Sequence, residues 1–348
     1  MMTQKNAPAL LIAALFALGA AMPFVLKQYH LNMLTEIIVF ALYAVSYNLL
    51  LGYAGLLSFG HAMFFGMGAF TVAVSLIHIP GLSMWSAIGL AIAMTTAVPN
   101  AWLLNDLEAA AWGVEAVADA DRVVLQAGEP NPRGNQSVVA AGTGFGEAGR
   151  VWVDGGYLPF ASEGGHADFA PADALDFAFL RWLQASHGHA SWDRIVSGPG
   201  IVAIHAFLRA ERGSVTPPAL AEAMRAGDPA AAVAEAALAG SDAVCVEALD
   251  RFLGYFGAEA GNHALKLMAT GGVFITGGIA PKVLPRLQGG LFLDAFRAKG
   301  RMAELMRRMP VTVLADGDVG LKGAALYGRR MAGRDERSLR PAPPARRR

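Results

Sequence analysis

Apolar residues run almost unbroken through the first hundred positions and then give way to shorter, turn-punctuated patterns. Runs at residues 9–26, 33–51, 56–79 and 82–98 each approach the ~20 residues that cross a bilayer core. They break at Lys27-Gln28, between Gly52 and Gly55, and at Pro80-Gly81, where polar or helix-interrupting residues intervene. The pattern predicts three or four transmembrane helices over residues 1–98. Lys5 ahead of the first run also suits a signal peptide, but no small-residue cleavage site follows, and a retained helix is expected. Gly52, Gly55, Gly60, Gly66 and Gly68 suit either close helix packing or a discontinuous segment.

Beyond residue 98 the period changes. Residues 137–141 read as a short strand, with 149–153 as the returning strand of a hairpin. Leu175, Phe179, Leu180 and Leu183 share one face of a helix over 173–184. The Ala-rich stretch 218–246, interrupted at Gly227-Asp228-Pro229 and at Gly240, predicts closely packed helices. A helix over 258–269 and a glycine-bounded buried strand within 271–278 complete an order that suits a nucleotide-binding α/β domain. The Arg-rich end, 329–348, reads as a solvated, disordered tail, with no nucleic-acid partner expected.

Charge sharpens this division. Only Lys5, Lys27 and Glu36 are charged before Asp106, so the overall 54% hydrophobic and 16% charged content averages two dissimilar segments. A single soluble domain and a disordered chain are both excluded. Cys245 is the one cysteine, which rules out an intrachain disulfide and a multi-cysteine zinc site.

Candidate chemistry sits at turns between apolar segments. Asn105-Asp106 follows an apolar stretch; the aspartate can take a proton from an attacking hydroxyl while the asparagine binds a neighbouring one, although both are also favoured helix caps. Gly142-Thr143-Gly144-Phe145-Gly146 can bring backbone amides to a phosphate, or can be a tight hairpin; it is neither a P-loop nor a Rossmann fingerprint. The glycines of Ser162-Glu163-Gly164-Gly165-His166 allow Glu163 and His166 to face one cavity, with no metal spacing around the histidine. Gly277-Gly278 can expose backbone to an adenosine, or merely end a strand.

Together these residues resemble the bacterial glucokinase family from about residue 103 to 327. The resemblance is carried by Asn105-Asp106 and by AGTGFGEAG (141–149), SEGGHADFAP (162–171), SGPG (197–200), Gly261-Asn262, GGVFITGGIAPK (271–282), KGRM (299–302) and GLKGAA (320–325). It implies an α/β actin/hexokinase-like (ribonuclease H-like) fold over 99–328, ATP with Mg2+ as cofactors, and glucose phosphorylated at its 6-hydroxyl. It further implies Asp106 as catalytic base, with Asn105, Glu163, His166 and Asp193 as sugar ligands. Asp193 stands where the family usually has glutamate. Gly142, Thr143, Gly144 and Gly146 would hold phosphate, and Gly277 and Gly278 would lie near the adenosine. A cytoplasmic kinase domain, with a homodimer as its candidate assembly, is the corresponding expectation.

The string YNLLLGYAGLLSFGHAMFFGMGAF (47–70) resembles the N-terminal helices of branched-chain amino-acid ABC transporter permeases. That resemblance implies a chain anchored in the lipid bilayer of a bacterial inner membrane through residues 1–98. The Asp-x-Gly-Gly-Thr string with which glucokinases begin does not occur, since Asp154-Gly155-Gly156-Tyr157 lacks its spacing and its threonine. Weak glucose phosphorylation is therefore expected; a permease-like membrane protein carrying a sugar-binding kinase remnant is the alternative.

Overall fold

The computed structural model describes residues 104–332, together with Ser86. The chain divides into two units, 1–103 and 104–348. Among the described residues no helix is long and apolar enough to cross a membrane. The spans and the permease-like string expected over 1–98 lie outside the described residues.

Six strands form one sheet in the order β1-β6-β5-β2-β3-β4. β2 (Gln136–Ala141), β3 (Phe145–Val153) and β4 (Gly156–Ser162) make an antiparallel meander. β5 (Gly272–Thr276) pairs parallel to β2, β6 (Val311–Leu314) pairs parallel to β5, and β1 (Arg122–Gln126) closes the far edge antiparallel to β6. Alternation along β2 decides which layer each residue joins. Val138 packs with Ala148 and Leu314 on one face, whereas Val139 joins Val273, Ile275 and Val313 on the other. A strand buried on both faces needs the continuous apolar run that Val138-Val139-Ala140-Ala141 supplies.

The smaller layer is α1 (Asp106–Gly113) lying against α11 (Val319–Ala332). α1 begins at Asn105, whose Oδ1 accepts from the amides of Leu107 (2.9 Å) and Glu108 (3.3 Å), and its acidic first turn complements the helix dipole. The two helices meet through glycines. A Cβ at Gly323 would overlap the Ala109 carbonyl oxygen, and one at Gly113 would overlap that of Val319. Trp112 and Tyr327 then stack edge to face at 5.5 Å. α11 runs to Ala332, so the first residues of the expected tail at 329–348 are helical, and Arg330 lies over the Trp112 ring.

The opposite layer is helical and larger. In chain order it contains α2 (Ala174–His187), α3 (Trp192–Ile195), α4 (Gly198–Glu211), α5 (Pro218–Ala226), α6 (Pro229–Leu238), α7 (Ala243–Leu267), α8 (Leu284–Leu287), α9 (Leu291–Arg297) and α10 (Ala303–Arg308). Asp173 is the N-cap of α2 in a reciprocal capping box with Asp176, so the helix expected from 173 starts one residue later. α7 corrects a larger expectation. Instead of starting near 258 it begins at Ala243, because Asp242 accepts from the Cys245 amide at 2.9 Å and nothing interrupts the turns between. Its buried face, with Leu249, Phe252, Phe256, Ala260 and Ala264, forms the centre of the core. Burial, reinforced by Asp242, pushes the Cys245 thiol up to about 12, which makes it an inert core residue.

Candidate active site

The chain leaves β2 and β5, two parallel neighbours, at Gly142 and Gly277, and a cavity of about 370 Å³ opens at those carboxyl ends. Asn105 and Asp106 enter it from the start of α1, Glu163 from the turn after β4, and Asp193 from α3. Gly142, Thr143, Gly144 and Gly277 form its glycine-rich wall. Residues read as candidates from five separated stretches thus share one enclosure.

Each is held by local chemistry. Asn105 caps α1 with its Oδ1 while still lining the cavity. Asp106 is exposed, and its Oδ1 accepts from the Leu107 amide at 2.8 Å. The Gly142 amide donates to the Gly144 carbonyl (2.8 Å), and the Gly198 amide donates to the Gly142 carbonyl (2.8 Å). Asp193 Oδ1 accepts from the Phe145 amide at 2.7 Å, so this carboxylate braces the loop as well as facing the cavity. Asp193→Ala is expected to lower stability by about 1.5–3 kcal/mol, the range for a hydrogen bond to a charged group, and to loosen the glycine loop. Denaturant unfolding with hydrogen exchange at 142–146 measures both, and unchanged exchange would remove the bracing role.

The turn that carries Glu163 lies directly on β3. A Cβ at Gly165 would overlap the Phe145 carbonyl oxygen, and one at Gly164 would overlap Glu147 Oε2, so both glycines serve close approach. The Trp192 amide donates to the Ala167 carbonyl at 3.1 Å, which ties α3 to this turn.

Three expectations change. Gly146 lines the cavity but belongs to β3, where its missing side chain admits Leu107 of α1; the loop proper is Gly142-Thr143-Gly144. His166 is exposed and lies outside the cavity lining, its Nε2 3.7 Å from Glu163 Oε2. Gly277 and Gly278, expected together, divide: Gly277 lines this cavity and Gly278 a second one.

That second cavity, of about 540 Å³, shares Gly142 and Thr143 with the first. Its walls include Ile201 and Val202 of α4, Ala230 and Ala234 of α6, and Ile279, with Lys282 at its border. The N-terminus of α4, capped by Ser197, opens beside Gly142. Ile201, Val202, Ala230 and Ala234 were not identified from sequence, whereas Ile279 lies within the string at 271–282; the walls come from three distant segments.

Residues 76–331 match the profile of the family described as Glucokinase. The chain belongs to the glucokinase family. The family, one of hexose-phosphorylating kinases, includes the glucokinase of Nostoc sp., 41% identical over 253 residues, 69% of this chain and 74% of that protein. The crystal structure of a glucokinase from an Antarctic psychrotroph is similar with a TM-score of 0.59 at 30% identity, covering 71% of this chain and 72% of the other. The glucokinase of Balamuthia mandrillaris, solved in complex with glucose, shares the fold at 22% identity and a TM-score of 0.55 over 65% of each chain. These likenesses establish the actin/hexokinase-like α/β architecture expected from sequence. Glucokinase similarity begins at residue 76, inside the stretch read as permease-like over 1–98, and nothing in the comparisons supports the permease reading.

Proposed function

We propose that this glucokinase-family body binds glucose in the 370 Å³ cavity and ATP in the 540 Å³ slot, and transfers the terminal phosphoryl group to the sugar 6-hydroxyl. The observation that carries this is the meeting of the two cavities at Gly142-Thr143, where the reacting groups of two substrates would face one another. Asp106 takes the proton of the attacking hydroxyl. Asn105, its oxygen occupied by the α1 cap, presents Nδ2 to a neighbouring hydroxyl. Glu163 and the free oxygen of Asp193 accept from others, with His166 beside Glu163 on the same turn. The amides of Thr143 and Gly144 favour phosphate by direct donation and the start of α4 by its helix dipole, the Gly142 and Gly198 amides being engaged with the Gly144 and Gly142 carbonyls. Apolar Ile201, Val202, Ala230 and Ile279 suit a purine.

Among the described residues no group of three or more His, Cys, Asp or Glu side chains could cage a metal. The donor set fits Mg2+ that arrives on nucleotide phosphates, keeping its waters and touching at most one or two carboxylates. When bound, the ion neutralises developing phosphate charge.

Because the chain has no Asp-x-Gly-Gly-Thr string, the phosphate contacts such a string supplies are not expected and turnover is expected to be weak. Calorimetric titration of the 348-residue chain with glucose, alongside a glucose 6-phosphate assay, tests both parts. Binding with slow phosphorylation is the expected result. Absence of glucose binding overturns the sugar site, and rapid turnover overturns the weak-transfer expectation.

A further inference from the structure

The turn bearing Glu163 and His166 rests on a side chain that the proposed chemistry does not use. Glu147 of β3 is paired in register with Ser162 and is 1% exposed. Neither of its carboxyl oxygens receives a hydrogen bond. His263 approaches Oε2 only to 3.8 Å, and its Nδ1 is engaged with Ser137 Oγ at 2.8 Å. Glu259, wholly buried, also interacts with it, and its own oxygens receive Asn262 Nδ2 at 2.8 Å and Lys266 Nζ at 3.4 Å.

The charged and titratable groups facing this spot come from α7: Glu259, His263 and Lys266. Lys299 faces Glu259 while donating to Asn262 Oδ1 and the Ala258 carbonyl. β2 and β4 present the hydroxyls of Ser137 and Ser162. Burial, and then the Glu259 carboxylate, push the Glu147 carboxyl up to about 8, against the opposing pull of Lys266. Burial, aided by Lys266, lowers His263 to about 4, so the imidazole brings no positive charge at neutral pH. A protonated Glu147 can donate to Glu259, whereas an ionised one would be a buried charge without a donor. The short turn at Gly164–His166 lies against the carboxyl, so close that a Cβ at Gly164 would overlap Glu147 Oε2.

We propose that Glu147 is a positioning residue for sugar binding: its buried, uncharged carboxyl seats the turn carrying Glu163 and His166, and a negative charge there unseats the turn. This deepens the glucose-site reading and rests on it. Ligand affinity falls in proportion to the seated fraction, so glucose should bind the full chain about tenfold more weakly at pH 9 than at pH 7. Glu147→Gln keeps the shape without the charge and should hold its affinity across that range.

Calorimetric glucose titrations at both pH values, with hydrogen exchange of peptide 162–168 in the absence of sugar, make the test. Exchange at pH 9 should be faster in the parent chain than in Glu147→Gln. Glu259→Gln, which removes the neighbouring charge, should move the loss of affinity to lower pH and serves if Glu147→Gln does not fold. A Glu147→Gln profile that follows the parent, equal exchange in the two proteins at pH 9, or an unmoved Glu259→Gln profile overturns the proposal. If the parent binds no glucose at any pH, the sugar site itself falls, and the exchange comparison alone still decides the role of Glu147.

Discussion

Replacing Asp106 with Asn is expected to lower glucose 6-phosphate formation by about 10²–10⁴-fold, the usual worth of a positioned general base, while glucose affinity stays close to that of the parent. Asparagine has nearly the same shape and can still meet the sugar, but it cannot take the hydroxyl proton. The helix start survives the change, because its amides at Leu107 and Glu108 are capped by Asn105. The loss should therefore appear in kcat and not in binding. Single-turnover transfer from labelled ATP suits a slow enzyme, and transfer at the parental rate by Asp106→Asn would remove this residue from the chemistry.

The second large effect lies away from the cavity. Gly323→Ala is expected to destabilise the chain by about 2–4 kcal/mol, at or above the usual overpacking range, because the added methyl meets backbone and not a movable side chain. Its Cβ would overlap the Ala109 carbonyl oxygen and crowd the Gly113 amide, so α1 and α11 would have to separate. α1 carries Asn105 and Asp106 at its start, and phosphoryl transfer should fall together with stability. Gly328→Ala in the same helix is the comparison: open space surrounds that position, and alanine's helix preference should make the change neutral or favourable by up to about 1 kcal/mol. Denaturant midpoints followed by tryptophan fluorescence read both variants, since Trp112 lies at this interface. Equal midpoints for the two would show that the helices do not depend on this contact.

Much of the site was legible because its signals are local. Asn105-Asp106 announces a capped helix start, and glycine strings announce turns able to approach a ligand. Those strings also carried the glucokinase resemblance, which the family match over 76–331 bears out. Even here local meaning was incomplete. Gly146 looked like one more phosphate-loop glycine, yet β3 pairing extends to Phe145 and its bare Cα serves the packing of Leu107. His166 looked like a partner for Glu163 in one cavity, yet only the carboxylate lines it.

By itself, the sequence determined the separation of an apolar first segment from a charged α/β body, the glycine turns, the first helix cap and most of the polar groups that line the cavity. All of these depend on residues within a few positions of one another. Only the tertiary structure decided that Gly164 and Gly165 exist to let a turn lie on β3, that Glu147 is sealed beneath it against Glu259, and that three remote segments wall the slot beside Gly142. Those outcomes depend on contacts between positions from about twenty to well over a hundred residues apart, where burial, exclusion of a Cβ and the loss of solvent around a charge are set by the fold and leave no periodicity in the chain.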